Sequence, residues 1–180
     1  MMMSRTVSSF LLFVACCVAC ACGSASETPT ANAPANQNTQ PAAAKTVAPA
    51  PLSVFQVEWG DSKIPSEMQP DKDYTVSVTL KNTGNQHWPA KGVGANAANQ
   101  VSVSYHWLPE TGVVPVVAEG VRSPFPHDIA PGETVTLSDV HVVAPKAPGS
   151  YRLQVTLVQE MVSWFEGQGA RTIMVPVKVR

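Results

Sequence analysis

Apolar and polar residues alternate with a period of two along the chain from Leu52 onward. In the stretch YTVSVTL, Val76, Val78 and Leu80 fall on one side and the threonine and serine residues between them on the other. The same alternation recurs in VFQVEW near residue 54, VSVSYHWL, ETVTLSDVHVV near residue 133, SYRLQVTLV and RTIMVPVKV. Because successive side chains of a strand point to opposite faces, this pattern predicts half-buried β-strands.

Turn-forming residues separate these predicted strands. Clusters of Gly, Pro and Asn stand at residues 82–85, 109–112, 131–133 and 145–149. Short strands at this spacing, without a long helical window, predict an all-β, immunoglobulin-like antiparallel sandwich of two sheets. Pro176 lies inside the last predicted strand. Because proline cannot donate a hydrogen bond to a sheet, that strand is expected to be bulged or at an edge there.

The first 51 residues do not carry this alternation. Residues 1–21 hold Arg5 and then an apolar run from Phe10 to Ala21. This run is shorter than the ~20 residues that span a bilayer, and the pattern predicts a signal peptide for export. Residues 22–51 are rich in Ala, Pro, Thr, Asn and Gln and contain no aromatic residue. Such a composition buries too little apolar surface to offset its ordering entropy, so it predicts a disordered tether before a domain at 52–180.

All four cysteines of the chain lie near this N-terminus, at Cys16, Cys17, Cys20 and Cys22. The stretch VACCVACACGS resembles the lipobox of bacterial lipoproteins, in which a cysteine after small residues becomes the lipidated N-terminus. We expect Cys22 to be lipidated, with Cys20 and Cys16 as alternatives. The resemblance implies a protein of the bacterial cell envelope, anchored to a membrane by its lipid and facing outside the cytoplasm. An ordinary cleaved signal peptide and a secreted soluble protein remain open.

Charge and motif spacing narrow the possible chemistry. The chain has 12 basic and 13 acidic residues, so it lacks the basic excess typical of nucleic-acid binding. The histidines at positions 87, 106, 127 and 141 show no metal-ligand spacing, and there is no GxSxG or phosphate-loop motif. The sequence therefore predicts no catalytic residue, metal or cofactor. His106 lies on the polar side of its strand, where a solvated histidine is expected.

Several motifs of the domain resemble one known family. They are LKNTGNQHW at residues 80–88, PGE at 131–133, APKAPGSY at 144–151, and the pair Trp164 and Phe165 shortly before Gly167. Together they resemble the four-tryptophan immunoglobulin-like domain of a eukaryotic selective-autophagy cargo receptor and of many bacterial proteins. The segment YRLQVTLVQEMVSWF is also similar to accessory sandwich modules of bacterial glycosyltransferases and cell-surface proteins. These resemblances imply a binding or spacer module.

Large aromatic residues stand at the ends of several predicted strands. Trp88 follows the turn at residues 82–85 and precedes Pro89, so its indole is expected to close the end of the sandwich. The expected core aromatics are Trp59, Trp88, Trp107 and Tyr151.

Two loops are candidates for a binding surface. In QEMVSWFEGQG, Trp164 and Phe165 lie between Glu160 and Glu166, so an aromatic platform beside carboxylates is expected for a sugar ring or a protein partner. The loop RSPFPHD places Arg122 near Phe125, which is expected to be exposed. The alternatives are a hairpin whose Trp and Phe fill the sandwich end, and a proline-stiffened crossover between the sheets.

The sequence thus predicts a non-catalytic interaction module that binds an envelope protein or polysaccharide. The first alternative is a structural spacer or assembly subunit that acts through a sheet edge. The second is a hydrolase whose site has no recognisable motif.

Overall fold

The computed structural model describes residues 49–180, and the predicted signal peptide, the cysteines and most of the predicted tether lie outside the described residues. The described part contains strands and one short 3₁₀ helix, Glu166–Gln168. The strands are β1 (Val57–Lys63), β2 (Glu67–Met68), β3 (Asp73–Asn82), β4 (Val101–Pro109), β5 (Ser123–Pro124), β6 (Thr134–Val143), β7 (Gly149–Gln159), β8 (Ser163–Trp164) and β9 (Ile173–Val179). Within residues 49–180 there is no helical segment with the length and hydropathy of a membrane span.

The strands form two sheets, which confirms the predicted β-sandwich. One sheet has the order β1-β3-β6, and the other has the order β2-β9-β7-β4-β5, with β8 paired to the end of β7. The second sheet contains the C, F and G strands of an immunoglobulin arrangement (β4, β7 and β9), and the first contains B and E (β3 and β6). One departure from a purely antiparallel sandwich is the short parallel pairing of β2 with β9.

Strand β4 is buried on both faces, whereas the alternation predicted one solvated face. Its apolar residues face the core, and its polar residues Ser102, Ser104 and His106 are also buried. The outer face is covered because residues 116–124 fold back along β4 and the 3₁₀ helix reaches across it. The hydroxyl of Ser104 donates to the carbonyl of Gly120 (3.2 Å), and His106 contacts Glu166 of the 3₁₀ helix.

Asn82 organises the turn that delivers Trp88 to the core. Its buried side chain accepts a hydrogen bond from the Gly84 N–H (3.0 Å). Its Nδ2 donates to the carbonyls of Gln86 (2.8 Å) and Ile129 (3.0 Å). Trp88 and Ile129 then exchange two backbone hydrogen bonds of 2.9 and 3.0 Å. This turn therefore ties β3 to the loop that precedes β6 and holds the indole at the end of the sandwich.

The four aromatics expected in the core differ in burial. Trp88 and Trp107 are fully buried, and Trp107 Nε1 donates to the carbonyl of Val143 (2.8 Å). The prediction that Trp59 and Tyr151 lie inside the core is corrected: both are only partly buried and pack against the core from its margin. Each has a polar tip that reaches the backbone at the surface: Trp59 Nε1 donates to Arg171 (2.7 Å) and Tyr151 OH to Ala147 (2.9 Å).

Pro176 lies at an edge position of its sheet, as predicted from the sequence: its backbone nitrogen faces away from β7, toward the side of β9 that β2 does not cover there. Pro176 faces Arg152 of β7 on one side, while β2 pairs only with Lys178 and Val179 on the other. The N–H groups of Lys178 and Arg180 point toward β2 and donate to Ser66 and Met68, both at 2.9 Å. Since N–H directions alternate along a strand, residue 176 is the next position whose N–H would point outward. Proline removes that donor at a position where no strand of residues 49–180 lies beside β9.

Gln159 anchors the chain where it enters the domain. Its buried side chain accepts a hydrogen bond from the Leu52 N–H (2.8 Å). Its Nε2 donates to the carbonyls of Ala50 (2.9 Å) and Asn99 (3.1 Å). The segment before β1 is therefore part of the folded structure, and it brings the apolar side chain of Leu52 into the core.

Candidate functional site

The two candidate loops meet on the outer face of the larger sheet. Arg122 Nε donates to Glu160 Oε1 (2.8 Å), which joins residues 38 positions apart. The Arg122 guanidinium also lies over the indole of Trp164, with its Cζ 4.7 Å from the ring centroid. Arg122 Nη2 makes a second ion pair with Glu119 (2.6 Å). We call the group of Glu119, Arg122, Glu160 and Trp164 the arginine–tryptophan surface.

Exposed apolar residues border this surface. Met161 is 73% exposed and Val162 is 40% exposed in the turn that follows Glu160, while Val121, next to Arg122, is 43% exposed. Met161 has a positive φ of 62°, a backbone conformation that is uncommon for a residue other than glycine. The turn therefore exposes the apolar side chain of Met161 to solvent from a backbone position that few non-glycine residues adopt.

Gly120 sets the path of the segment that carries Arg122. Its N–H donates to the carbonyl of Tyr105 (3.0 Å), and its own carbonyl accepts from Arg122 Nη1 (2.8 Å). A Cβ at this position would lie 2.5 Å from the Tyr105 carbonyl oxygen. Only glycine therefore allows the segment to run this close to β4 and to hold Arg122 beside Trp164.

The Arg122 guanidinium stays charged in this setting. Burial lowers its pKa, but the hydrogen bonds and charges of Glu160 and Glu119 outweigh burial, and the pKa lies above its ordinary value. Glu119 is mostly exposed, whereas Glu160 is mostly covered. The surface therefore combines one sheltered ion pair with one carboxylate that remains open to solvent.

A third ion pair lies below this surface, between His106 and Glu166. His106 Nε2 lies 2.8 Å from Glu166 Oε1, and His106 Nδ1 lies 2.5 Å from the carbonyl oxygen of Ala118. The second carboxylate oxygen of Glu166 accepts from the Thr156 hydroxyl. His106 is only 8% exposed, so the expectation of a solvated histidine is wrong. Both ring nitrogens face acceptors, and protonated imidazole alone can donate to both.

The pKa values of this pair follow from those contacts. Burial lowers the pKa of His106, but the hydrogen bonds to Glu166 and Ala118 outweigh it and raise the pKa above 6.5. Burial raises the pKa of Glu166, but the hydrogen bonds from His106 and Thr156 outweigh it and lower the pKa below 4.5. Both shifts favour the charged form of each partner, a protonated imidazole beside an ionised carboxylate.

The prediction that Phe165 and Phe125 belong to an exposed binding surface is wrong, because both are buried. Phe165 is fully buried and packs edge-on against Phe55 (ring centroids 5.1 Å apart) and Trp88 (5.5 Å). Phe125 is 4% exposed and lies 5.9 Å from Trp88. Both rings fill the end of the sandwich, as in the alternatives given for these loops. Neither offers the aromatic platform expected from the sequence.

Trp164 alone of the three candidate aromatics stays partly accessible. Its ring centroid lies 4.3 Å from that of His106, and Arg122 covers part of the indole. Glu166, expected as a surface acceptor, instead points inward to His106. The predicted residues that come together are thus Arg122, Glu160, Trp164 and Glu166.

Sequence reasoning missed His106, Glu119 and Thr156 as members of this assembly. His106 and Glu166 are 60 positions apart, and no spacing rule connects them. A weak signal exists in Gly120, two residues before the loop RSPFPHD, since a glycine can mark a close backbone approach. The alternation of β4 could not reveal these contacts, because it shows which side of a strand is polar but not what covers that side.

Two grooves of the described residues lie away from this surface. A groove of about 250 Å³ at the chain entry is lined by Leu52, Gln86, His87 and Asp128, among others. Another, of about 330 Å³, lies beside Tyr151, Arg152 and Lys178. Residues 49–180 contain no group of three or more His, Cys, Asp or Glu side chains placed to hold a metal ion.

Comparison with known proteins adds little to this geometry. No family model matches the chain, and no curated protein matches it. A β-glucosidase from Listeria innocua in complex with isofagomine is similar over 68% of this chain, with a TM-score of 0.39 and 15% identity. A mutant of that enzyme in complex with laminaribiose is similar over 69% of this chain, also with a TM-score of 0.39 and 15% identity. This chain covers only 16% of either glucosidase chain.

Proposed function

We propose that the chain is an exported, lipid-anchored envelope protein whose sandwich is a non-catalytic interaction module. The observation that carries the interaction role is the arginine–tryptophan surface with its border of exposed Met161, Val162 and Val121. Arg, Trp and Met are the residue types enriched in protein–protein interfaces. Since Arg122 already covers part of the Trp164 indole, the surface suits a protein partner better than a stacked sugar ring.

The envelope address in this proposal is supported by the sequence. The lipobox-like stretch around Cys22 is followed by the polar, Ala- and Pro-rich tether. This order is typical of a domain that a lipid anchor and a flexible tether hold at a distance from a membrane. The resemblance to the four-tryptophan domain supports a binding or spacer role. A polysaccharide remains the second class of partner.

Association through a sheet edge is less favoured. The outer edge of β6 donates two of its N–H groups to side chains of its own domain, His141 to Ser123 Oγ (3.0 Å) and Val143 to Tyr105 OH (2.8 Å). Pro176 removes an outward donor from β9. Both features reduce the number of free donors that an added strand needs.

The interaction role is tested by placing a charge at the apolar border. Met161→Glu is compared with Val114→Glu, because Val114 is 76% exposed and lies in the loop after β4, away from the surface. Proteins cross-linked to the full chain in envelopes of the native host are quantified by mass spectrometry. Recovery of a shared partner should fall roughly tenfold or more with Met161→Glu only, because the new carboxylate would be covered by the partner without a group to pair with it. Equal recovery with both variants would exclude this surface.

The address is tested separately by the mass of the N-terminal peptide purified from host membranes. An acylated cysteine at Cys22, Cys20 or Cys16 is the expected result. An unmodified N-terminus in the soluble fraction would remove the anchor and redirect the search for a partner to secreted material, without bearing on the interaction surface itself.

A further inference from the structure

Residues 163–168, which we call the strap, lie across one corner of the larger sheet. The strap comprises β8 and the 3₁₀ helix, and its strand pairing to β7 has only two residue pairs, Val158 with Trp164 and Gln159 with Ser163. On the inner side Phe165 enters the core, and on the outer side Glu166 reaches over β7 to β4. Because the backbone pairing is so short, side chains must supply much of what holds the strap in place.

The outer contact of the strap uses all side-chain polar atoms of the buried His106 and the partly buried Glu166. His106 Nε2 contacts a carboxylate oxygen of Glu166, and His106 Nδ1 contacts the carbonyl oxygen of Ala118. Since both are acceptors, His106 donates to both only when each ring nitrogen carries a proton. Glu166 accepts from His106 with one oxygen and from Thr156 with the other. This pattern is complete only when His106 is protonated and Glu166 is ionised. Loss of one His106 proton places a lone pair against an acceptor whichever nitrogen loses it: Nε2 against the Glu166 carboxylate at 2.8 Å, or Nδ1 against the Ala118 carbonyl at 2.5 Å.

The other charged groups near His106 and Glu166 do not provide an alternative partner for the Glu166 carboxylate. Segment 116–122 contributes Glu119, whose negative charge favours protonated His106, and Arg122, which lies on Trp164. The turn after β7 contributes Glu160, which is paired with Arg122. β4 contributes Ser104 and β7 contributes Thr156, and both are uncharged. Arg122 is thus held by Glu160 and Glu119, and His106 is the cation hydrogen-bonded to Glu166 among the described residues.

We propose that His106 and Glu166 form a pH-sensitive latch that holds the strap, and with it Trp164, against the outer face of the sheet. The latch is closed while both ring nitrogens of His106 carry a proton, and it opens when one of them loses its proton. Opening separates Trp164 from the His106 ring and loosens one wall of the arginine–tryptophan surface. The latch goes beyond the proposed interaction role and does not depend on it, because strap motion is measured without a partner.

The direction of the pH effect follows from the two pKa shifts. The pKa of His106 is raised in the folded state, so its contribution to stability is complete below about 6.5, its ordinary value, and is lost as the pH rises through the folded value. The pKa of Glu166 is lowered, so its contribution is complete above 4.5 and is lost as the pH falls through the folded value. The latch is therefore closed in the window between these folded values.

The test measures hydrogen exchange of the strap amides in the full chain as a function of pH. The informative N–H groups are that of Phe165, which bonds to Leu157 of β7, and those of Gly169 and Ala170, which follow the strap and bond to its carbonyl groups. Protection factors correct for the intrinsic pH dependence of exchange, and ring resonances of His106 give its titration. We expect strap protection to fall roughly tenfold or more as His106 deprotonates, while amides of the β4–β7 pairing keep their protection.

Two substitutions decide whether the pair causes this effect. Glu166→Gln should lower the midpoint of the His106 titration and abolish the pH dependence of strap protection. Glu160→Gln is the matched control, since Glu160 and Glu166 have similar side-chain exposure (21% and 23%) and Glu160 pairs with Arg122 instead. His106→Gln supplies a second, non-titrating variant if Glu166→Gln does not fold. The proposal is overturned if the protection of the strap amides does not change as His106 titrates. It is also overturned if that protection keeps its pH dependence in both Glu166→Gln and His106→Gln.

Discussion

Trp88 is the residue at which the end of the sandwich is closed. Phe125 and Phe165 pack against its indole from two different loops, and Asn82 fixes the turn that presents it. Its Nε1 is buried without a hydrogen-bond partner among the described residues. The ring is therefore used for its volume and shape, while its polar atom carries a cost.

Trp88→Ala is expected to lower the free energy of unfolding by about 3–5 kcal/mol, as for other buried aromatic residues replaced by alanine. Trp88→Phe is the control: it keeps a ring in the cluster and removes the unsatisfied N–H, so it should cost clearly less. Urea unfolding followed by circular dichroism gives both values. A similar loss in the two variants would show that the indole is specifically required.

The adjacent residues Trp164 and Phe165 show why the candidate site was only partly predictable. The sequence places both aromatics between two glutamates, but β8 is two residues long and shows no alternation to say which ring turns inward. Likewise, Glu160 and Glu166 look equivalent in the sequence, yet one pairs with Arg122 and the other with His106. These choices depend on partners from other strands, which local patterns do not specify.

Among the elements, the long strands were predictable and the short ones were not. Strands β3, β4, β7 and β9 carry at least three alternating apolar residues each, so their period is visible in the sequence. Strands β2, β5 and β8 have two residues each, too few for any period. Strand β1 begins at Val57 rather than near residue 54. Ahead of it, the N–H groups of Leu52 and Ser53 bond to the side chains of Gln159 and Gln86 and not to the backbone of another strand.

Gly120 offers a test at the scale of the element. Gly120→Ala is expected to cost about 1–3 kcal/mol, typical of overpacking, because its Cβ would meet the Tyr105 carbonyl at 2.5 Å and push the segment away from β4. Hydrogen exchange should report the loss at Trp107 and Val117, which pair across this junction.

Gly167→Ala is the matched control for this substitution. Its Cβ would lie 3.8 Å from the nearest atom, Ser163 Oγ, and alanine suits a helical turn better than glycine. Its stability should be unchanged or slightly higher. Equal destabilisation by the two substitutions would mean that the close approach of Gly120 is not what holds the segment.

At the scale of the whole molecule, Pro176 governs whether two sandwiches can join through β9. Pro176→Thr restores an outward N–H beside Met174, on the part of β9 that β2 does not cover. We expect this variant to associate in a concentration-dependent manner, because a free edge with complete donors accepts another strand. Sedimentation velocity over a range of concentrations measures it.

Met174→Thr is the control for this experiment, since it changes the same strand without adding a donor. It should sediment like the unaltered protein at each concentration. If Pro176→Thr does the same, the edge is protected by something other than the proline.

The Gln159 anchor determines where the domain can be excised from the rest of the chain. A fragment begun at Val57, the start of the first strand, would lose the Leu52 N–H that bonds Gln159 Oε1 and the Ala50 carbonyl that bonds its Nε2. It would also lose the buried Leu52 side chain. A fusion partner or a shortened chain should therefore be joined ahead of Ala50, several residues before the first strand, for the sandwich to fold as a unit.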